Sequence, residues 1–156
     1  MDSVINLDFV FIGWAFFLQI ALVLHFALRK WRFETSIRYG PLVYALGIPS
    51  AVVSLILLFG GKSYAFWLVG FLCLLWAAFG YTVDYVRPVE WRVPIHWPVA
   101  IPYLSLYLAT IMFYWWPLGL FGRALWFAYA VLFIFGTWLN ISSHKDPRDE
   151  RQQVVD

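Results

Sequence analysis

The residues able to do chemistry gather in one internal stretch, Asp84 to Pro98 (DYVRPVEWRVPIHWP), and at the ends of the apolar runs that flank it. Asp84 and Glu90 could act as general bases, and His96 or His144 as acid or base, because such work needs groups that titrate near neutral pH. Arg87 and Arg92 could clamp an anionic group beside them. Each also has a plainer reading. Asp84 can pair with Arg87 one helical turn on and Glu90 with Arg92, and exposed pairs of that kind carry little energy. No GxSxG, HExxH or paired-aspartate signature accompanies these groups, so catalysis on a lipid or membrane-soluble substrate is the alternative rather than the preferred reading.

The histidines His25, His96 and His144 are the metal or haem candidates, since neutral imidazole is a common ligand. No HxxxH or HxxE spacing puts two ligands on one helix, so no metal and no cofactor is assigned. The single cysteine, Cys73, lies inside an apolar run, which excludes an intramolecular disulfide and a CxxC site.

A second constellation is a row of hydroxyls. At helical spacing Tyr103, Tyr107, Thr110 and Tyr114 fall on one face, and hydroxyls avoid lipid along a whole helix, so the row should face protein or a cavity. Small residues offer it a counterpart, with Cys73, Ala77 and Gly80 leading in register to Asp84, and with Gly47, Ser50 and Ser54 on another run where Pro49 can kink the helix. Either the tyrosines interdigitate with these small positions, or they line a ligand pocket with Asn140, Arg87 and Arg92 at its mouth. Thr137, Asn140 and His144 share a face, and Gln19 is expected to be an interhelical hydrogen-bond partner.

The elements that carry these residues follow from composition. The 156 residues are 63% hydrophobic and 13% charged, against about 25% charged in ordinary globular domains, which places the chain in a bilayer. Five runs are long enough to cross it, approximately Phe9 to Leu28, Pro41 to Gly60, Tyr64 to Val83, Val99 to Leu118 and Ala124 to Ser143. Lipid cannot satisfy exposed backbone groups, so these are helices. The acidic start MDSVINLDF does not read as a cleavable signal peptide.

Basic residues fix the expected orientation. Arg29, Lys30, Arg32 and Arg38, then Arg87 and Arg92, then Lys145, Arg148 and Arg151 fall on one side, against Lys62 and Arg123 on the other. The positive-inside rule then puts the N-terminus outside and the C-terminus in the cytoplasm. Gly60 and Gly61 mark a tight turn between the second and third spans, and Pro117, Gly119 and Gly122 another between the fourth and fifth. Residues 1–144 read as one transmembrane domain and 145–156 as a charged cytoplasmic tail. The net charge of +2 gives no reason to expect a nucleic-acid partner.

The run WWPLGLFGRALW, Trp115 to Trp126, resembles the tryptophan-proline and FG turn of the translocator protein family, which is also rich in membrane helices and tryptophan. The likeness is confined to that run. The order of helices after the turn differs, and the family's WxPP element has no counterpart, so no site residue is carried across.

The sequence thus predicts an all-α integral membrane protein, a five-helix transmembrane bundle of the inner or plasma membrane. The preferred function is binding, with transport as an extension, of an apolar, aromatic or lipid-like molecule near the cytoplasmic leaflet. The enzyme at the same mouth is the alternative. An accessory or scaffolding subunit, in a homo-oligomer or larger membrane complex and presenting its small-residue stripe to a partner, is the third.

Overall fold

The computed structural model describes residues 6–89 and 94–143, and every regular element among them is helical. These are α1 (Leu7–Trp31), α2 (Phe33–Ala45), α3 (Gly47–Phe59), α4 (Tyr64–Tyr81), a π-helical turn (Thr82–Val86), α5 (Trp97–Phe121) and α6 (Arg123–Ser143). Taking α2 with α3, and α4 with its π-turn, five helical stretches are long and apolar enough to span a membrane.

The ends of the first two stretches differ from the sequence reading. α1 continues past Leu28 to Trp31 and α2 starts at Phe33 rather than near Pro41, so Arg29 and Lys30 lie in the last turn of α1, Arg32 at the junction and Arg38 within α2. The reason is physical: hydropathy tracks the apolar run, whereas a helical backbone continues through basic residues whose long side chains can reach for water. Arg29 and Lys30 also lie in the last turn of α1, where cations are favoured.

The second stretch is broken at Leu46. Pro49 lacks the N–H that would bond the carbonyl of Ala45 four residues back, and α2 ends at that residue. The backbone N–H of Ser50 reaches the Leu46 carbonyl at 3.1 Å and restarts the ladder.

Small residues draw α3 onto α4. The Gly70 N–H donates to Ser54 Oγ at 2.9 Å, and a Cβ on Gly47 would stand 2.7 Å from that of Ala77. Such contacts carry helix association in lipid, where burying apolar surface gains nothing. The turn from α3 to α4 passes through Gly61 at φ +77°, a conformation glycine adopts without strain. An ion pair between Asp8 and Lys62 ties the start of α1 to this turn. At the same end α5 turns into α6 through Gly122, where the Trp115 indole donates to the Trp126 carbonyl at 3.0 Å and the two rings stack 4.5 Å apart.

The core is lined by Phe11, Leu18, Leu22, Ile111, Tyr114, Tyr129 and Leu139, all nearly inaccessible. Outside it Phe9, Leu55, Val131 and Ile134 are exposed, as expected of a bundle that meets lipid on its perimeter.

Candidate functional site

At the opposite end from the two glycine turns, a cavity of about 470 Å³ opens between the helices. Its polar wall is built from four stretches: His25 and Arg29 from α1, Tyr44 from α2, Asp84 from the π-turn and Tyr103 from α5. Asn140 of α6 closes the fifth side.

Two irregularities place the acceptor and its donor. The π-turn carries the Arg87 N–H to the Thr82 carbonyl at 2.8 Å, and Thr82 Oγ1 caps the Ala78 carbonyl at 2.7 Å, so the end of α4 is widened where Asp84 projects. Tyr44 sits in the last turn of α2, just before the proline-induced break. Its hydroxyl donates to Asp84 Oδ2 at 2.6 Å and lies 3.5 Å from that of Tyr103.

Aromatic rings line the floor. Trp76 packs against Tyr44 at 5.6 Å and Tyr103 at 6.0 Å between centroids. Gly80 makes room for both tyrosines, because a Cβ there would fall 3.0 Å from the Tyr103 ring and strike that of Tyr44. The rim is apolar and reaches the surface: Leu104 of α5 and Ile141 of α6 both line the cavity, yet are 46% and 69% exposed. The exposed part of the wall thus includes residues of α5 and α6, on a face that would meet lipid if the bundle spans a membrane.

The structure divides the residues singled out in the sequence. Asp84, Tyr103, Asn140 and His25 line this one cavity. The rest of the hydroxyl row does not. Tyr107 is buried against Trp76, Thr110 turns its hydroxyl back to the Leu106 carbonyl at 2.8 Å, and Tyr114 packs against Phe11. The row thus faces protein along its length, with its first member alone on this cavity wall. Arg87 and His96 are exposed and off the wall; His96 caps α5 through its backbone carbonyl, which accepts from Val99 and Ala100. Glu90, Arg92, His144 and the charged tail lie outside the described residues. Gln19, expected to bond between helices, packs its amide against Gly136, and its Oε1 has no hydrogen-bond partner among the described residues.

No group of three or more His, Cys, Asp or Glu side chains among the described residues is placed to hold a metal ion. Three wall residues were missed by sequence reasoning: Tyr44, Trp76 and Arg29. Tyr44 carried a usable signal, being a phenol inside an apolar run. Arg29 was read for its charge alone, and Trp76, inside the third apolar run, was not singled out.

Comparison with known proteins adds no name to this arrangement: no family model, no curated protein and no solved structure matches the chain.

Proposed function

We propose that this protein spans a membrane and binds a lipid-like small molecule in the cavity beside Asp84, with the N-terminus outside and this end toward the cytoplasm. The observation that carries the proposal is the make-up of the wall: Asp84, Tyr44, Tyr103, His25, Arg29 and Asn140 share one cavity with the exposed apolar Leu104 and Ile141, which we read as a side opening toward lipid. That arrangement suits a molecule with a polar head and an apolar body. A volume of about 470 Å³ falls within the roughly 300–1,000 Å³ common for small-molecule sites. The orientation rests on charge, with Arg29, Lys30, Arg32, Arg38 and Arg87 at this end and Lys62 and Arg123 at the other.

The enzymatic alternative has one observation in its favour, the shared presence of Asp84 and His25 on the cavity wall. Binding is preferred because the Asp84 carboxylate, a candidate base, is engaged by a phenol, Tyr44, and His96, one of the two candidate acids, stands outside the cavity.

Native mass spectrometry of the purified protein, with a visible absorption spectrum on the same sample, tests the proposal. The wild type should carry a lipid-sized adduct and show no pigment band. Ala100→Phe, which fills the cavity from a buried wall position, and Leu104→Trp, which obstructs the rim, should both purify without it. A wild type that carries nothing, or an adduct unaffected in both folded variants, overturns the reading.

A further inference from the structure

We infer that the bound molecule is a zwitterionic phospholipid, held by its headgroup, with the ammonium against Asp84, Tyr44, Tyr103 and Trp76 and the phosphate against Arg29 and His25. This rests on the reading that the cavity binds a membrane amphiphile, and names its class.

The wall carries both signs of charge. α2, α4 with its π-turn, and α5 supply a carboxylate, two phenols and an indole, and α1 supplies a guanidinium and an imidazole. Aromatic faces backed by a carboxylate attract an ammonium or quaternary ammonium, and the Tyr44 and Tyr103 rings each lie within about 6 Å of Trp76, with the Tyr44 hydroxyl on Asp84. A guanidinium matches the oxygens of a phosphate. A simple anion would meet Asp84 and a simple cation would meet Arg29, whereas a head carrying both signs is opposed by neither.

Depth supports the same class. The cavity lies at the ends of the spans, where Lys30 stands 3.9 Å over the Trp138 ring and Trp31 and Trp97 are exposed, the pattern of residues that settle at headgroup level. A headgroup in this cavity stays at its usual depth. The acyl chains leave by Leu104 and Ile141 and run down the exposed Leu108 and Ile134 of the same two helices.

The test offers the full-length protein mixed vesicles containing equal amounts of phosphatidylcholine, phosphatidylethanolamine, phosphatidylglycerol and diacylglycerol, and reads the retained lipid by native mass spectrometry. The zwitterionic lipids should exceed phosphatidylglycerol and diacylglycerol by about tenfold, the span of one good charge-assisted contact. Asp84→Asn should bring the preference over phosphatidylglycerol close to onefold, and Arg29→Gln the preference over diacylglycerol. Tyr103→Phe, which alters no charge, should reduce the preference severalfold and serves if Asp84→Asn does not fold. Retention with no headgroup preference overturns this inference and leaves amphiphile binding standing. Retention of no lipid at all overturns both. Soluble glycerophosphocholine displacing the lipid at equal concentration would assign the site to a free headgroup and overturn the lipid.

Discussion

The hydroxyl of Tyr44 donates to Asp84 Oδ2 across 2.6 Å, joining the broken second stretch to the widened end of α4. Both partners sit at departures from regular helix, so one bond fixes two irregular backbones relative to each other. A hydrogen bond to a carboxylate is worth about 1.5–3 kcal/mol where the surroundings exclude water. Tyr44→Phe should therefore lower the thermal unfolding temperature and weaken lipid retention together, whereas Tyr39→Phe, at an exposed position of the same helix, should change neither. Equal behaviour of the two variants in a detergent melting series would refute the role given to this bond.

Gly80 holds the floor of the cavity open for two phenols. Gly80→Ala places a methyl group against the Tyr44 and Tyr103 rings, and overpacking of this kind costs about 1–3 kcal/mol. Gly13→Ala meets nothing within 4 Å and should be neutral or slightly stabilising, since alanine is the better helix former. The pair is checked by fluorescence-detected size-exclusion melting. A Gly80→Ala protein as stable as Gly13→Ala would mean that the rings move aside freely.

The stacked indoles of Trp115 and Trp126, 4.5 Å apart, are close enough for their transitions to couple. Circular dichroism should show a paired positive and negative band that Trp126→Phe removes. Trp115→Phe should remove it as well and also cost about 1 kcal/mol, because the bond to the Trp126 carbonyl goes with the ring.

Cys73 is fully buried, so the native protein offers a low background for thiol labelling. Cysteines introduced singly at Ser63 and Glu34 should be reached by membrane-impermeant maleimide from opposite faces in intact cells, Ser63 from outside and Glu34 only after permeabilisation. The reverse pattern would invert the proposed orientation, and labelling of both from one side would remove the span between them.

Much of the bundle was legible because run length and backbone satisfaction in lipid leave few choices: five apolar runs, two glycine turns and a proline at position 49 account for the number and breaks of the helical stretches. The inward direction of Tyr107, Thr110 and Tyr114 was legible from period alone. Where the row stops being packed was not, since a void is a shared property of side chains from several helices. Tyr103 and Tyr107 are one turn apart on the same face, and only the first meets the cavity. The Tyr44 partnership was hidden for a related reason. It depends on how α2 crosses the end of α4, which in turn follows from the break at Leu46 and the π-turn at Thr82, neither of which hydropathy reports.

The exposure of Leu104 and Ile141 on the cavity wall has a bearing on how the proposed binding should be quantified. A molecule that enters through hydrocarbon is drawn from a two-dimensional solution, and its occupancy follows its mole fraction in the leaflet rather than its concentration in the surrounding buffer. Diluting such a protein together with its membrane would leave the site filled, while enriching the bilayer in a competing lipid at constant volume would empty it.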